Sequence, residues 1–264
     1  MQNIDARNAE FWEELCGTGL AQSIGITGEE DRDLERFDRA YLDLYPYLPP
    51  YVHRLGPSDK AVLEIGLGYG TLGTYLLKAG ANYSGLDIAD GPVRMMRHRA
   101  SLAGKPDAPV LQGSALELPW PDHTFDAVVS IGCLHHTGDL PSSVDEVHRV
   151  LRPGGLALVM LYNRHSFRQL VQAPLVRLRE QRTGAAERLR GMYDTNRAGA
   201  AAPHTDYVSK RDVRRLFHAF SELDIETRNF DTLIWPGGLL IPRARLLNNI
   251  GRIVGLDLYI IARK

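Results

Sequence analysis

The feature that most constrains the fold is a glycine-rich turn in AVLEIGLGYG, residues 61–70. An apolar run leads into glycines at 66, 68 and 70, and helical spacing of apolar residues resumes at Thr71. This pattern predicts a strand, a tight turn and a helix. The missing Cβ atoms let a ligand approach the backbone, and free amides at the helix start would face it. A turn that only packs its helix on the strand is the alternative.

From the same point onward, strands and helices alternate along the chain. Apolar runs predict strands at 61–65, 82–88, 109–112, 125–131 and 156–161, with helices at 71–79, 91–103 and 140–151. This alternation favours right-handed crossovers and an open, mostly parallel sheet. Ligands of such sheets bind beyond the carboxyl ends of the strands, so the informative residues should follow each strand.

Composition limits the class of protein. The 264 residues suffice for one large domain with a cap, and a net charge of −1 gives no overall attraction for nucleic acid or membrane. Cys16 and Cys133 are the only cysteines, which excludes a disulfide framework. Because the chain shows neither a signal peptide nor a run of roughly 20 apolar residues, we expect a cytoplasmic protein without a membrane span.

The N-terminal region is predicted to be helical over residues 5–55. Phe11, Trp12 and Leu15 fall on one face of a first helix, and a second amphipathic helix from about Asp31 is rich in aromatic residues. These side chains either pack against the core or form a lid over a ligand.

Polar residues follow the second and third predicted strands. Asp87 stands twenty-one residues after Gly66, where a carboxylate can accept hydrogen bonds from a ribose diol. Helix capping is the alternative role for this aspartate. Ser114 and the amides of Ala115 and Leu116 are placed to meet the edge of a base.

The fourth predicted strand ends in two adjacent histidines, His135 and His136, which would open onto the same crevice. Either could act as a base or orient another group. No Cys, Asp or Glu stands near them at zinc-site spacing, so we predict no metal site.

Five strings follow one another along the chain: VLEIGLGYG, SGLDIA, GSALELPWPDHTFDAVVS, SIGCLHH and DEVHRVLRPGGLALVMLYN. In this order and spacing they resemble the class I S-adenosylmethionine-dependent methyltransferases, and most closely the small-molecule branch with menaquinone and ubiquinone C-methyltransferases. The resemblance is strong over residues 59–162, and the C-terminal part looks like the family's last helix and closing strand pair.

The resemblance implies an α/β, Rossmann-like fold with a mostly parallel seven-stranded sheet, helices on both faces and an antiparallel last strand. Residues 59–162 and 209–264 would form the core. A helical N-terminal lid would occupy residues 1–58, and a helical substrate-cap insertion would occupy 163–208, after the fifth strand.

The resemblance also implies S-adenosyl-L-methionine as the cofactor and S-adenosyl-L-homocysteine as the product. Asp87 would hold the ribose hydroxyls and Ser130 would lie near the sulfur. The other implied cofactor residues are Glu64, Gly66, Gly68 and Gly70 at the methionine and ribose, Ile88 at the adenine, and Ser114, Ala115 and Leu116 at the base. Many relatives carry Asp where this chain has Ser114, and a hydroxyl makes the contact to the adenine amino group less strongly.

A dinucleotide is the rival cofactor. NAD enzymes also place an acidic residue about 20 positions after a glycine turn, but their fingerprint is G-x-G-x-x-G. Here the third glycine is Gly70, which favours the sulfonium cofactor.

Methyl transfer from a sulfonium needs mainly proximity and orientation. A base is required only when the acceptor must lose a proton. The candidates are His135 first, then His136, Tyr162 after the fifth strand, and His204 and Tyr207 at the end of the insertion.

The acceptor should be recognised by segments outside the core. Between Arg164 and Arg215 there are twelve Lys or Arg against five Asp or Glu, and the first helix of the insertion looks apolar on one face and basic on the other. That face either binds an anionic acceptor or is solvated. The stretch 232–242, with Trp235, Leu239 and Leu240, predicts a substrate wall or a homodimer contact.

The sequence thus predicts methyl transfer to the O, N or C atom of a small metabolite. An RNA methyltransferase is an alternative that would use the basic insertion, although no appended RNA-binding module is evident. A noncatalytic protein that binds the cofactor is a second alternative.

Overall fold

A computed structural model describes residues 4–15, 18–26, 28–179, 185–234 and 240–264. Cys16, Trp235 and Leu239, which entered the sequence predictions, lie outside these residues. In the described part, no helix is both long enough and apolar enough to cross a bilayer.

The strands form a seven-stranded sheet and a separate two-stranded hairpin. Their bounds are β1 (Ala61–Ile65), β2 (Asn82–Asp87), β3 (Val110–Gln112), β4 (Phe125–Ile131), β5 (Leu151–Tyr162), β6 (Glu222–Arg228), β7 (Leu233–Ile234), β8 (Leu240–Ile241) and β9 (Asp257–Arg263). The large sheet has the order β3-β2-β1-β4-β5-β9-β6, and β9 runs antiparallel to both of its neighbours. The predicted fold class is therefore confirmed.

Helices cover both sides of the sheet and the N-terminal region. Their bounds are α1 (Ile4–Trp12), α2 (Thr18–Ser23), α3 (Asp31–Leu44), α4 (Leu48–Leu55), α5 (Thr71–Lys78), α6 (Asp90–Leu102), α7 (Leu140–Val150), α8 (Ala173–Arg179), α9 (Ala185–Gly191), α10 (Lys210–Leu216), α11 (Arg243–Leu246) and α12 (Gly251–Val254). A π-helical turn, Arg168–Gln172, leads directly into α8.

The sheet is buried because its strands present apolar side chains to both faces. Along β5, Ala157, Val159 and Leu161 pack in the core cluster on one side, and Leu158 and Met160 pack in the cluster on the other. This period of two with both faces apolar is typical of parallel sheets covered by helices. Strand β5 begins at residue 151, five residues earlier than predicted.

The connectivity fixes where a ligand can enter. The chain passes from β1 outward to β2 and β3, then returns to pair β4 with β1 on its other side. The reversal opens a crevice at the carboxyl ends of β1 and β4, which is where such sheets bind ligands.

The first helix is held over this crevice by α6. The Glu13 carboxylate, just after α1, accepts hydrogen bonds from the amides of Asp90 (3.1 Å) and Gly91 (3.0 Å) and pairs with Arg94. A carboxylate is favoured at this helix start, where backbone amides are free. Helix α1 therefore sits at the mouth of the crevice.

The insertion leaves the core after β5 and returns beside it. Asn163 and Val208 form a bridge, and the Val208 amide donates to the carbonyl of Tyr162 at 2.9 Å. The intervening residues carry α8 and α9, so the segment from 163 to 208 is a loop closed at its base.

A methyl group at Gly91 should detach α1. An alanine Cβ there would lie 2.3 Å from the Glu13 carbonyl oxygen, a clash with backbone that neither element can avoid. We expect Gly91→Ala to lower the free energy of unfolding by about 1–3 kcal/mol and to expose the N-terminal region to protease. Chemical denaturation and limited proteolysis measure both effects.

Gly19→Ala is the matched control, because a Cβ at Gly19 meets nothing within 4 Å. Equal stability and equal proteolysis of the two variants would show that the contact between α1 and α6 does not hold the helix.

Candidate functional site

A cavity of about 1020 Å³, including the space open to solvent at its mouth, lies at the carboxyl ends of β1, β2 and β4. The glycine turn, the end of β2 and the loop after β4 form its floor. Helices α1 and α3 form the opposite wall through Asp5, Asn8, Trp12, Phe37 and Tyr41.

The glycine turn is shaped by close approach of the loop after β4. Gly66, Gly68 and Gly70 all have positive φ, at 86°, 51° and 77°. A Cβ on Gly66 would lie 2.5 Å from the Cβ of Cys133, so only glycine lets the two segments meet. Gly66 and Gly68 line the cavity, whereas Gly70 caps the start of α5 outside the lining.

Asp87 braces this turn from the end of β2. Its carboxylate accepts hydrogen bonds from the amides of Leu67 (2.8 Å) and Ala89 (3.0 Å). Burial raises the pKa of Asp87, and these backbone donors oppose the rise by favouring the ionised form. Because a carboxylate offers about four lone-pair sites, Asp87 can still accept from a ligand in the cavity it lines.

The predicted base-binding segment reaches the cavity only in part. Ile88, Ser114 and Ala115 line it, but Leu116 does not. The Leu116 amide donates instead to the hydroxyl oxygen of Ser114 at 3.2 Å. Ser130 is fully buried and donates to the Ile65 carbonyl at 3.0 Å, outside the lining.

Glu64 lies on β1 beneath the turn, buried and lining the cavity floor. It accepts a hydrogen bond from the hydroxyl of Tyr83 at 2.5 Å. Burial raises the pKa of Glu64 to about 8, against the lowering effect of the Tyr83 hydroxyl. Burial thus favours the protonated form of Glu64, whereas the backbone donors around Asp87 favour the ionised form of that residue.

Of the two adjacent histidines, His136 meets the cavity and His135 does not. Both lie in the buried 3₁₀ turn Leu134–His136, with their ring centroids 4.3 Å apart. The Nδ1 of His136 lies 2.6 Å from the carbonyl oxygen of His204, so Nδ1 is the protonated nitrogen in the neutral ring. Its Nε2 lies 3.5 Å from a carboxylate oxygen of Asp194.

Asp194 is a residue of the insertion that no pattern in the sequence singles out. Its carboxylate accepts from the hydroxyl of Tyr162 at 3.0 and 3.2 Å, which holds it beside His136. Burial raises the pKa of Asp194, while the neighbouring His136 and Tyr162 lower it. Burial also lowers the pKa of His136, and the Asp194 charge opposes that change.

The other predicted catalytic residues surround this pair without reaching the cavity. His135 is fully buried, with its ring centroid 4.1 Å from that of Tyr162, and burial holds its pKa well below the ordinary value. His204 lies partly exposed beside Asp206 at 3.1 Å. The Tyr207 ring lies 6.3 Å from that of Tyr162, and its buried hydroxyl has no partner among the described residues.

The wall formed by α1 and α3 is largely aromatic. Trp12 lies 5.0 Å from the ring of His136, and Phe37 stacks on Tyr69 of the glycine turn at 4.1 Å between centroids. The side chain of Asn8 donates to the His136 carbonyl at 2.7 Å, which ties α1 to the histidine turn. The N-terminal helices therefore both pack on the core and line the cavity.

No cluster of His, Cys, Asp or Glu in the described ranges could hold a metal ion. The groups in and beside the cavity are its backbone amides, the carboxyl groups of Glu64 and Asp87, the aromatic wall and the His136–Asp194 pair.

Comparison with known proteins gives a consistent result. Residues 63–159 match the family model for a methyltransferase domain, a range that runs from β1 into β5. The fatty-acid O-methyltransferase of Mycolicibacterium smegmatis is 38% identical over 137 residues, which cover 51% of this chain and 47% of that protein.

The phthiotriol/phenolphthiotriol dimycocerosates methyltransferase of Mycobacterium leprae is 34% identical over 158 residues, which cover 55% of this chain and 56% of that protein. The chain thus spans about half the length of the curated relatives it matches. A SAM-dependent methyltransferase from Thermotoga maritima shares the fold, with a TM-score of 0.52, 17% identity, and coverage of 86% of this chain and 98% of that one.

The state of Glu64 makes stability depend on pH. Its pKa rises from 4.5 to about 8 on folding, so between these values the folded chain binds more protons than the unfolded chain. Stability therefore falls as pH rises through that window. We expect Glu64→Gln, which can still accept a hydrogen bond from Tyr83, to reduce the decrease in the free energy of unfolding between these pH values. Chemical denaturation at a series of pH values, without added ligand, measures this decrease.

Burial also raises the pKa of Asp257, to about 7, so Asp257 adds to the pH dependence of stability. It does so equally in the parent and in Glu64→Gln, so the difference between their two curves reports on Glu64 alone. Exposed Glu117→Gln is the matched control and should leave the parent slope unchanged. Parallel curves for the parent and Glu64→Gln would mean that Glu64 is ionised in the folded chain.

Proposed function

We propose that this chain, whose residues 63–159 form a class I S-adenosylmethionine-dependent methyltransferase domain, transfers a methyl group to an oxygen of a small molecule with an apolar body. The observation that carries the proposal is one cavity that joins a nucleoside-type wall, an aromatic wall and His136. The curated relatives that act on a fatty acid or on dimycocerosates support an apolar acceptor.

The cavity fits the cofactor on two counts. Gly66 and Gly68 line the cavity, so the backbone of the turn is open to a ligand, and a buried carboxylate stands at the end of β2. Asp87 would accept from the ribose hydroxyls, Ile88, Ser114 and Ala115 would border the adenine, and the backbone around Gly66 would face the methionine part. Bound S-adenosylmethionine supplies the activated methyl group on its sulfonium.

The acceptor would enter between the histidine turn and the aromatic wall. Trp12, Phe37 and Tyr41 offer apolar surface there, while Asn8 supplies a polar atom at the same wall. Burying an apolar body against these rings is favourable and orients the acceptor without a charge. Once α1 covers the cavity, water is kept from the reacting atoms.

His136 would remove the acceptor's proton. Its Nδ1–H donates a hydrogen bond to the His204 carbonyl, so Nε2 carries the lone pair that can accept a proton. The proton taken from the acceptor would go to Nε2, and the Asp194 carboxylate 3.5 Å away would stabilise the imidazolium that forms. Tyr162, through its hydrogen bond to Asp194, acts as a positioning residue.

The cofactor assignment can be tested by calorimetry with S-adenosylhomocysteine. We expect Asp87→Ala to weaken binding about 10- to 100-fold, since hydrogen bonds to a charged group are lost. Asp87→Asn, which keeps one acceptor oxygen, should lie between this variant and the parent.

Asp107→Ala, at an exposed acid on another loop, is the matched control. Parent affinity in a folded Asp87→Ala chain would remove Asp87 from the cofactor site, and no binding by the parent would defeat the whole assignment.

The reaction can be tested by transfer of a labelled methyl group to long-chain fatty acids, to long-chain alcohols and, separately, to tRNA. We expect label in a lipid-like acceptor and none in tRNA. His136→Ala should lower kcat about 10²- to 10⁴-fold with unchanged affinity for S-adenosylhomocysteine. Asp194→Asn should lower kcat less and move the acidic limb of the kcat profile to lower pH, because the imidazolium loses a stabilising charge.

His218→Ala, at an exposed histidine two residues after the end of α10, serves as the control and should match the parent. Undiminished turnover by His136→Ala across the pH range would show that the acceptor needs no base from this residue. Label in tRNA alone would overturn the small-molecule assignment.

A further inference from the structure

We propose that one face of the molecule docks on a membrane surface rich in anionic phospholipid. This docking face consists of the exposed apolar side chains of the helical segment 168–179 and of the segment 240–254, namely Leu170, Val171, Leu175, Leu178, Leu240, Ile250 and Ile253. The proposal goes beyond methyl transfer and concerns where the protein works.

The exposure of these side chains is concentrated in two segments. Among the described residues eight large hydrophobic side chains are exposed, and seven of them belong to the docking face; the eighth is Leu102. Leu178 and Ile253 are the most exposed, at 83% and 76%. Single exposed apolar residues need no explanation, but such a concentration marks an interaction site.

The two segments are joined by one apolar cluster. Phe167, at the start of the first segment, packs against Phe230 with ring centroids 5.4 Å apart. Val254 and Ile241, from the second segment, pack against the same cluster around Phe230. The first segment is also anchored by the ion pair of Arg168 with Asp231 at 2.7 Å. The two segments that carry the exposed residues are therefore packed on the same apolar cluster.

The spacing places apolar side chains on one side of the first segment. Val171, Leu175 and Leu178 follow each other at four and three residues, which is the spacing of one helix face. Among the residues of this segment whose side chains are described, 168–178, only Ala173 is buried. A helix with an apolar face turned to solvent and basic residues beside it is the pattern of an interfacial helix.

Within the two stretches that carry the docking face, every charged residue is basic. Residues 164–179 contain four arginines and residues 240–256 contain three, and neither stretch contains Asp or Glu. Arg177, Arg245 and Arg252 are exposed and form no ion pair within the described ranges. Arginines bordering exposed leucines fit lipid headgroups, because the cation can bind phosphate while its stem lies on apolar surface.

The same charge argues against a second copy of the chain as the occupant. A two-fold interface would bring this patch against itself, so the exposed arginines of one copy would face those of the other, and neither of the two stretches supplies an acidic residue. Nucleic acid would satisfy the arginines but leave the leucines and isoleucines exposed. An anionic bilayer is the partner that satisfies both the apolar residues and the cations.

The docking face is also connected to the cavity. The guanidinium of Arg168 donates to the Met192 carbonyl at 2.5 Å, two residues before Asp194. The segment that would lie on the membrane thus supports the loop that holds the carboxylate beside His136.

Vesicle flotation of the full chain tests the proposal without any methyl acceptor, so its outcome is independent of catalysis. We expect binding to vesicles of phosphatidylcholine with phosphatidylglycerol, weakened by salt, and little binding to phosphatidylcholine alone. Leu175→Gln with Leu178→Gln, and separately Arg245→Gln with Arg252→Gln, should each weaken binding about tenfold or more.

Leu102→Gln is the matched control, since Leu102 is the exposed leucine outside the docking face. Affinity for S-adenosylhomocysteine, measured for every variant, reports whether the fold is intact. Equal binding to both vesicle types, or parent binding by either double variant, would overturn the proposal. Absence of vesicle binding by the parent chain would also overturn it, and a dimer that Leu175→Gln with Leu178→Gln dissociates in sedimentation analysis would then identify a second copy as the occupant.

Discussion

The cavity depends on the buried carboxylate of Asp87. By accepting from the amides of Leu67 and Ala89, it fixes the glycine turn after β1 to the end of β2. Burial of a carboxylate is costly, and only the convergence of backbone donors offsets that cost. The same convergence gives the turn one shape, which in turn lets Cys133 and the histidine turn approach Gly66.

The sheet and this turn could be predicted because their causes are local in sequence. Alternating apolar strands and helices dictate the parallel sheet, and Gly66 and Gly70, which have positive φ, stand at positions where a Cβ atom would clash. Asp87 follows its strand directly, so strand geometry alone carries it to the crevice. The antiparallel β9 came from the family resemblance, since its own apolar run does not reveal its direction.

The rest of the site could not be predicted because it depends on how irregular segments dock. The sequence favoured His135, but its ring is fully buried beside Tyr162, and His136 is the histidine that lines the cavity. Asp194 lies 58 residues further along, in a loop whose position follows only from the packing of the insertion. Trp12 and Asn8 reach the histidine turn because Glu13 caps α6, a contact between residues 77 apart in the chain.

The insertion combines two environments that are rarely found on one short segment. Its inward residues, Asp194 and Tyr193, are buried or half-buried polar groups beside Tyr162, and its outward residues are leucines exposed to solvent. A sequence selected for stability alone would bury the leucines and expose the polar residues. Burying polar groups and exposing leucines both cost stability. The arrangement is explained if the buried polar groups take part in proton transfer and the exposed leucines contact lipid. Arg168, at the start of the exposed helical segment, would then connect the two sides, because it donates to the Met192 carbonyl near Asp194 and pairs with Asp231.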